Sequence, residues 1–181
     1  MNHEILIVSD NHGATDAFSR MIGYHPNADL VVHCGDSNLK PDHPLMAGVK
    51  GVKGNTDFML NYPSEQFLHA RSGEKIFITH GHRHSVGYSR QKLVDDAKKM
   101  PEVPDIICYG HTHVSEAQII DGILVVNPGS IAEPRDTNPP TYATLTIISD
   151  TYIVKFYRAA DHEVIKEVPC PRPHHLVHQA Q

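Results

Sequence analysis

Short aliphatic runs, each cut off by polar residues, recur along the first two-thirds of the chain. The first is Ile5-Leu6-Ile7-Val8, framed by Glu4 and by Ser9-Asp10-Asn11-His12-Gly13. Uninterrupted and rich in β-branched residues, it predicts a strand buried on both faces. Ala14 to Ile22 then sets Ala17, Phe18, Met21 and Ile22 at near-helical spacing, with Gly23 to end the helix. Asp29 to Cys34 predicts a second buried strand, and strand–helix–strand calls for a parallel pair. Asn38 to Leu45 reads as loop or a short irregular helix, and Ala47 to Val52 as a short strand. Glu65 to Ala70 alternates, with Phe67 and Leu68 as inward candidates, and turns through Arg71-Ser72-Gly73-Glu74 into a buried strand over Lys75–Thr79. A helix over Tyr88–Lys99 would bury Leu93, Val94 and Ala97, and Asp105–Tyr109 predicts another buried strand.

Beyond Gly110 the pattern changes to hairpins. Ser115–Ile120 and Ile123–Val126 flank Asp121-Gly122, and Thr141–Ser149 and Thr151–Arg158 flank a second turn at Ser149-Asp150. From Val168 the chain is rich in proline and histidine and is expected to fray. The expected organisation is one domain over residues 1–167 and a flexible tail over 168–181, with His174, His175 and His178 as solvated tail residues. Two packed sheets with helices outside accommodate both halves.

Composition narrows the class. The 181 residues carry a net charge of −5, 15 histidines, three cysteines and no tryptophan. The length suits one domain. The negative charge argues against a nucleic-acid polymer or an anionic membrane as partner. No apolar run nears the ~20 residues of a membrane helix, and no signal-peptide pattern opens the chain, so a cytoplasmic location is expected. Cys34, Cys108 and Cys170 show no short spacing, which suggests neither a disulfide framework nor a thiolate zinc site. Cys34 and Cys108 read as small core residues.

The residues just past the strands carry the chemistry: Asp10 and His12; Asp36; Asn55 with Asp57; His80 with His82 and His84; His111 and His113. Each alone reads as a cap or a solvated side chain. In open α/β sheets, however, ligands bind beyond the carboxyl ends of the strands, so five such ends converge on one crevice. Carboxylates, imidazoles and one amide suit Mn²⁺, Fe²⁺ or Zn²⁺ better than Ca²⁺ or an iron–sulfur cluster. The set is too large for one ion, and Asp36, beside Gly35, is the natural bridging carboxylate.

The ordered series Asp10-x-His12, Gly35-Asp36, Gly54-Asn55, His80 and Gly110-His111-Thr112-His113 resembles the calcineurin-like metallophosphoesterase superfamily, in particular its small single-domain bacterial and archaeal phosphodiesterases. The resemblance implies a four-layer αββα sandwich of two mixed β-sheets. It implies two divalent ions, with Mn²⁺ first and Zn²⁺, Fe²⁺ or Ni²⁺ as alternatives. Asp10, His12, Asp36 and His113 would hold one ion; Asp36, Asn55, His80 and His111 would hold the other. The implied activity is phosphodiester hydrolysis by a hydroxide shared between the ions, on a small substrate. Asp36, Asn55 and His80 would act through the metals, and Asn55 and Asn11 are candidate substrate contacts.

One position departs from the family pattern. Many members carry a general-acid histidine directly after the motif asparagine, where this chain has Thr56. Water, Asp57 or His82 remain as proton sources; equally, Asp57 reads as a turn residue, and His82 and His84 as supporting or solvated. Asn127-Pro128-Gly129-Ser130 reads as a tight turn supporting the site. The competing reading is a non-catalytic protein-binding scaffold on the same fold, like the retromer subunit whose ligands have decayed; the complete ligand series here opposes it. A mononuclear metal-storage or sensor protein leaves Asp36 and Asn55 unexplained. The late hairpins leave edges that a homodimer could cover. The metal site is expected to be acid-labile, because the histidines must be neutral to bind.

Overall fold

In the computed structural model, which describes residues 2–177, the first aliphatic run forms β1 (His3–Val8) and leads into α1 (Asp16–Tyr24). There follow β2 (Leu30–His33), β3 (Lys50–Gly51), β4 (Glu65–His69), β5 (Lys75–Thr79), α2 (Gln91–Lys98) and β6 (Ile106–Cys108). The hairpin part supplies β7 (Glu116–Ile120), β8 (Ile123–Asn127), β9 (Thr141–Ile148), β10 (Thr151–Arg158) and β11 (Val164–Pro171), and α3 (His174–Val177) follows as one turn. A six-stranded sheet runs in the order β11-β10-β9-β1-β2-β3 and a five-stranded sheet in the order β4-β5-β6-β8-β7. β1, β2 and β3 are mutually parallel, as are β5, β6 and β8, and the other pairings are antiparallel.

Strand alternation sorts the apolar side chains into layers. Ile5 and Ile7 meet Ile76, Ile78, Ile106, Leu124 and Val126 between the sheets, together with Cys34 and Cys108. Leu6 and Val8 point the other way, onto Phe18 and Met21 of α1. Phe77, Ile107 and Val125 of the second sheet receive Leu93, Val94 and Ala97 of α2. α1 and α2 thus each cover one outer face, giving the expected αββα sandwich. Among the described residues, no helix is long and apolar enough to cross a membrane.

Several boundaries differ from the sequence reading. Gly23 lies inside α1, which ends where the His25 N–H bonds the Met21 carbonyl. The strand expected over 47–52 shrinks to Lys50–Gly51, because a 3₁₀ turn at Pro44–Met46 carries the chain to Val49. α2 starts at Gln91, after a turn in which the Tyr88 N–H bonds the Ser85 carbonyl. The largest correction concerns the tail. Residues 164–171 form β11 on β10, and its Pro169 and Pro171 are tolerated because β11 is an edge strand. His174 and His175 lie in α3, with His175 Nε2 3.2 Å from Asp105 Oδ1; His178 lies outside the described residues.

Candidate metal centre

The parallel strands of both sheets deliver their carboxyl ends to one crevice. β1 ends at Val8 and delivers Asp10 and His12, β2 delivers Asp36, β3 delivers Asn55, β5 delivers His80, and β6 delivers His111 and His113. The main-chain bonds Asp10 N–Gly35 O (3.1 Å), His12 N–Asp36 O (3.0 Å) and Gly110 N–His80 O (3.1 Å) stitch these ends together. Asp10, His12, Asp36, His111 and His113 all have positive φ, between 44° and 72°. Five residues held left-handed at one place store backbone strain that the surrounding bonds must overcome, as is typical of functional sites.

Both carboxylates use one oxygen for structure and keep the other for the crevice. Asp10 Oδ2 accepts from Ser9 Oγ (2.5 Å) and the His111 N–H (3.1 Å). Asp10 Oδ1, fully buried, has no hydrogen-bond partner among the described residues; around it stand His113 Nε2 at 3.2 Å, His80 Nε2 at 3.8 Å and His12 Nε2 at 3.9 Å. Asp36 Oδ1 accepts the Thr56 N–H (2.9 Å), while Oδ2 lies 3.2 Å from His80 Nε2 and 3.9 Å from His12 Nε2.

The imidazoles are oriented in the same way. His80 Nδ1 lies 2.7 Å from the Cys34 carbonyl oxygen and His113 Nδ1 2.5 Å from that of Glu133. A carbonyl only accepts, so each Nδ1 carries a proton, and each ring, once neutral, offers its Nε2 lone pair to the crevice. Asn55 Oδ1 completes the cluster, 3.0 Å from His80 Nε2 and 3.1 Å from His111 Nδ1. Lone pairs that converge at 3–4 Å are the donor set of a cation site. Asp10, His12 and His113, and likewise Asp10, Asp36 and His80, could each hold a metal ion.

The electrostatics agree. Burial would push His80 and His113 down, but the carboxylates of Asp36 and Asp10 raise His80, and that of Asp10 with the Glu133 carbonyl raises His113, above the ordinary imidazole value. Burial would likewise raise the two carboxyls, yet His113, His80 and Ser9 hold Asp10 below the usual range, and His80 and Thr56 hold Asp36 well below it. The cluster keeps its acids ionised, as cation binding requires.

Residues 3–150 match the sequence model of the calcineurin-like phosphoesterase superfamily domain. The chain belongs to this superfamily. Its site is therefore that of a metal-dependent phosphoesterase, built for divalent metal ions. The probable metallophosphoesterase YsnB of Bacillus subtilis is 38% identical over 88% of this chain and 94% of that protein. A crystal structure of a conserved uncharacterized protein of Streptococcus pneumoniae, described as a predicted phosphoesterase, superposes with a TM-score of 0.87 at 37% identity. It covers 95% of this chain and 99% of its own. The phosphodiesterase YfcE of Escherichia coli is 26% identical over 91% of this chain and 97% of that protein.

Two candidate roles do not survive the superfamily site's geometry. Asn11 is fully buried; its Oδ1 lies 2.8 Å from His33 Nε2 and its Nδ2 donates to the Ala14 carbonyl at 2.9 Å. Its oxygen and one amide hydrogen are engaged by β2 and its own loop, and full burial keeps the side chain from a substrate. Asp57, also buried, accepts the Asp36 and Gly54 N–H groups on Oδ2 (2.8 Å each) and the Asn38 N–H and Nδ2 on Oδ1 (2.9 and 3.0 Å). Four N–H donors use an acceptor-only carboxylate, so Asp57 fastens the turns and does not donate a proton. His82 stands at the rim, its ring 5.4 Å from that of His80 and 6.1 Å from that of His111. His84 points away, toward Glu65 and Asp96.

The sequence reading missed His33, which stood unremarked in an apolar run. Buried and pushed down to about 4 by desolvation, it is neutral, accepts the Gly35 N–H on Nδ1 and holds Asn11. The Asn127–Ser130 turn does support the site. Asn127 Nδ2 donates to the Gly110 carbonyl and Thr112 Oγ1, while Ser130 Oγ donates to the Asp10 carbonyl and accepts the Glu133 N–H. Glu133 in turn orients His113.

Proposed function

We propose that the protein is a phosphodiesterase that hydrolyses small phosphodiesters with two divalent ions, Mn²⁺ foremost. The observation that carries the reading is the free Oδ2 of Asp36, which faces His80 on one side and His12 on the other. Asp10, His12, Asp36 and His113 would hold one ion, and Asp36, Asn55, His80 and His111 the other. Bound there, the ions supply Lewis-acid activation of water and neutralisation of phosphoryl charge. The residues supply everything else. Asp10 and Asp36 bring the negative charge the ions need, and their second oxygens lock their orientation. Asn55 contributes a neutral amide oxygen, which adds no charge to repel a phosphate. Glu133 and Cys34 fix the tautomers of His113 and His80. Thr56 occupies the position after Asn55 and accepts from Asn38 Nδ2 (3.1 Å). A hydroxyl is a poor acid, so leaving-group protonation falls to His82 or water, and diesters with good leaving groups are the favoured substrates.

The name of YfcE supports the diester preference, and the three buried cysteines, left as free thiols, suit a cytoplasmic location. Val164 and Ile165, exposed on the β11 edge, support pairing of two copies there.

The test is hydrolysis of bis-p-nitrophenyl phosphate by metal-stripped protein with Mn²⁺, Zn²⁺, Mg²⁺ or nothing restored. Turnover should require metal, and Asp36→Asn should lower it by about 100-fold or more, the scale on which single electrostatic groups act. Two ions bound with no turnover of any ester would replace this reading with the scaffold.

A further inference from the structure

Beside the metal centre lies a cleft of about 370 Å³, lined by Gly87, Arg90, His111, Thr112, Glu116 and Arg135 among others. Of the candidate ligands only His111 borders it; Asp10, Asp36, Asn55 and His80 do not. The cleft is therefore a neighbouring compartment, large enough for a substrate substituent.

Its two arginines differ. Arg90 is engaged, with Nη1 donating to the Val86 carbonyl at 3.0 Å and Nε 3.3 Å from Glu116 Oε1. The exposed Arg135 is the less engaged of the two. Its backbone N–H bonds the His113 carbonyl (3.3 Å), which anchors it to the ligand loop. Its guanidinium makes one long bond, from Nη1 to the His111 carbonyl at 3.4 Å, and no ion pair among the described residues. A guanidinium fork left without an acid, in a chain of net charge −5, is matched to a bidentate phosphate.

We propose that Arg135 is a specificity-determining residue that holds a second, non-reacting phosphate of the substrate in this cleft, so that the preferred substrates are phosphodiesters carrying a further phosphate group. The assignment rests on the phosphodiesterase reading for the reacting diester, while the anion contact itself is measurable by binding alone.

The experiment compares thymidine 3′,5′-bisphosphate with thymidine 5′-monophosphate by calorimetry on Mn²⁺-loaded protein. Wild type should bind the bisphosphate about 10-fold more tightly, the worth of one charge-assisted contact. Arg135→Gln should reduce the ratio to about one, and Arg135→Lys should restore part of it, since ammonium keeps the charge without the fork. The same ratio should appear in KM for thymidine 5′-(p-nitrophenyl phosphate) with and without a 3′-phosphate. A ratio near one in wild type, or one that survives Arg135→Gln, overturns the proposal. Failure of both nitrophenyl esters to turn over counts against the phosphodiesterase reading instead, and leaves the binding ratio to decide on Arg135.

Discussion

A methyl group at Gly54 would occupy space that is already filled. A Cβ there would stand 2.0 Å from Asp36 Oδ1 and 2.4 Å from the Asp36 nitrogen, and the second of these is backbone that cannot swing aside. Gly54→Ala is therefore expected to displace the proposed bridging carboxylate and lower metal affinity by about 10- to 100-fold, the usual cost of a disturbed support for a metal ligand. Calorimetric titration with Mn²⁺ checks this, and unchanged affinity would mean that the turn yields. His82 makes a different residue-scale prediction. If it protonates the leaving group, His82→Gln should slow diesters with alkyl leaving groups by about 100-fold and p-nitrophenyl diesters far less, since nitrophenolate departs unaided. Equal loss on both would reduce His82 to a structural role. Position along the strands made most of the candidate ligand residues legible, because they stood just past the end of an aliphatic run. The atoms that a side chain meets were not legible. Asn11 and Asp57 had the right chemistry for substrate and proton transfer, and only the partners of their oxygens show that both hold loops. His33 was hidden because a buried neutral histidine looks like any other interruption of a strand.

At the scale of elements, His84 fastens the loop after β5 to β4 and α2. Its Nε2 lies 2.7 Å from Glu65 Oε2 and its Nδ1 2.7 Å from Asp96 Oδ2. The contact with Glu65, then that with Asp96, outweighs burial and raises the imidazole above its ordinary value of about 6.5. Because the folded value is the higher one, the stabilisation is complete below the unfolded pKa and fades as pH rises through the folded one. His84→Gln should thus cost more stability at pH 6 than at pH 8.5, as read by urea denaturation, and a pH-independent cost would show that the ring acts by packing alone. Hydrophobic periodicity found most of the elements because burial between layers demands it: Lys75–Thr79 is uninterrupted, and the Asp121-Gly122 turn has the positive φ angles of 51° and 79° that a two-residue hairpin needs. It failed at β11, where exposed side chains and two prolines leave no apolar pattern, and pairing with β10 alone makes the strand.

Across the whole molecule, the segment after β11 closes the sandwich at the end away from the metal centre. Arg172, 8% exposed, donates from Nε to Glu74 Oε1 at 2.6 Å and from its other nitrogens to the Ser149 and Ser72 carbonyls at 2.8 and 2.9 Å. Glu74 is fully buried in the turn before β5, and Tyr152 Oη also donates to it at 3.4 Å. The pair thus joins the last residues of one sheet to the first hairpin of the other, across about a hundred residues of sequence. Two charges withdrawn from water gain little over a well-packed apolar pair, but a charge left there alone is costly. Arg172→Met strands the Glu74 carboxylate and should lower unfolding free energy by about 3–5 kcal/mol. Arg172→Met with Glu74→Leu removes the stranded charge and should recover most of that loss. Urea denaturation of the two variants distinguishes a pair kept for strength from one whose removal is tolerated once both halves go. If the double variant were as unstable as the single one, the loss would lie in the carbonyl contacts of Arg172 to Ser149 and Ser72, and the closure would depend on the guanidinium itself rather than on the ion pair.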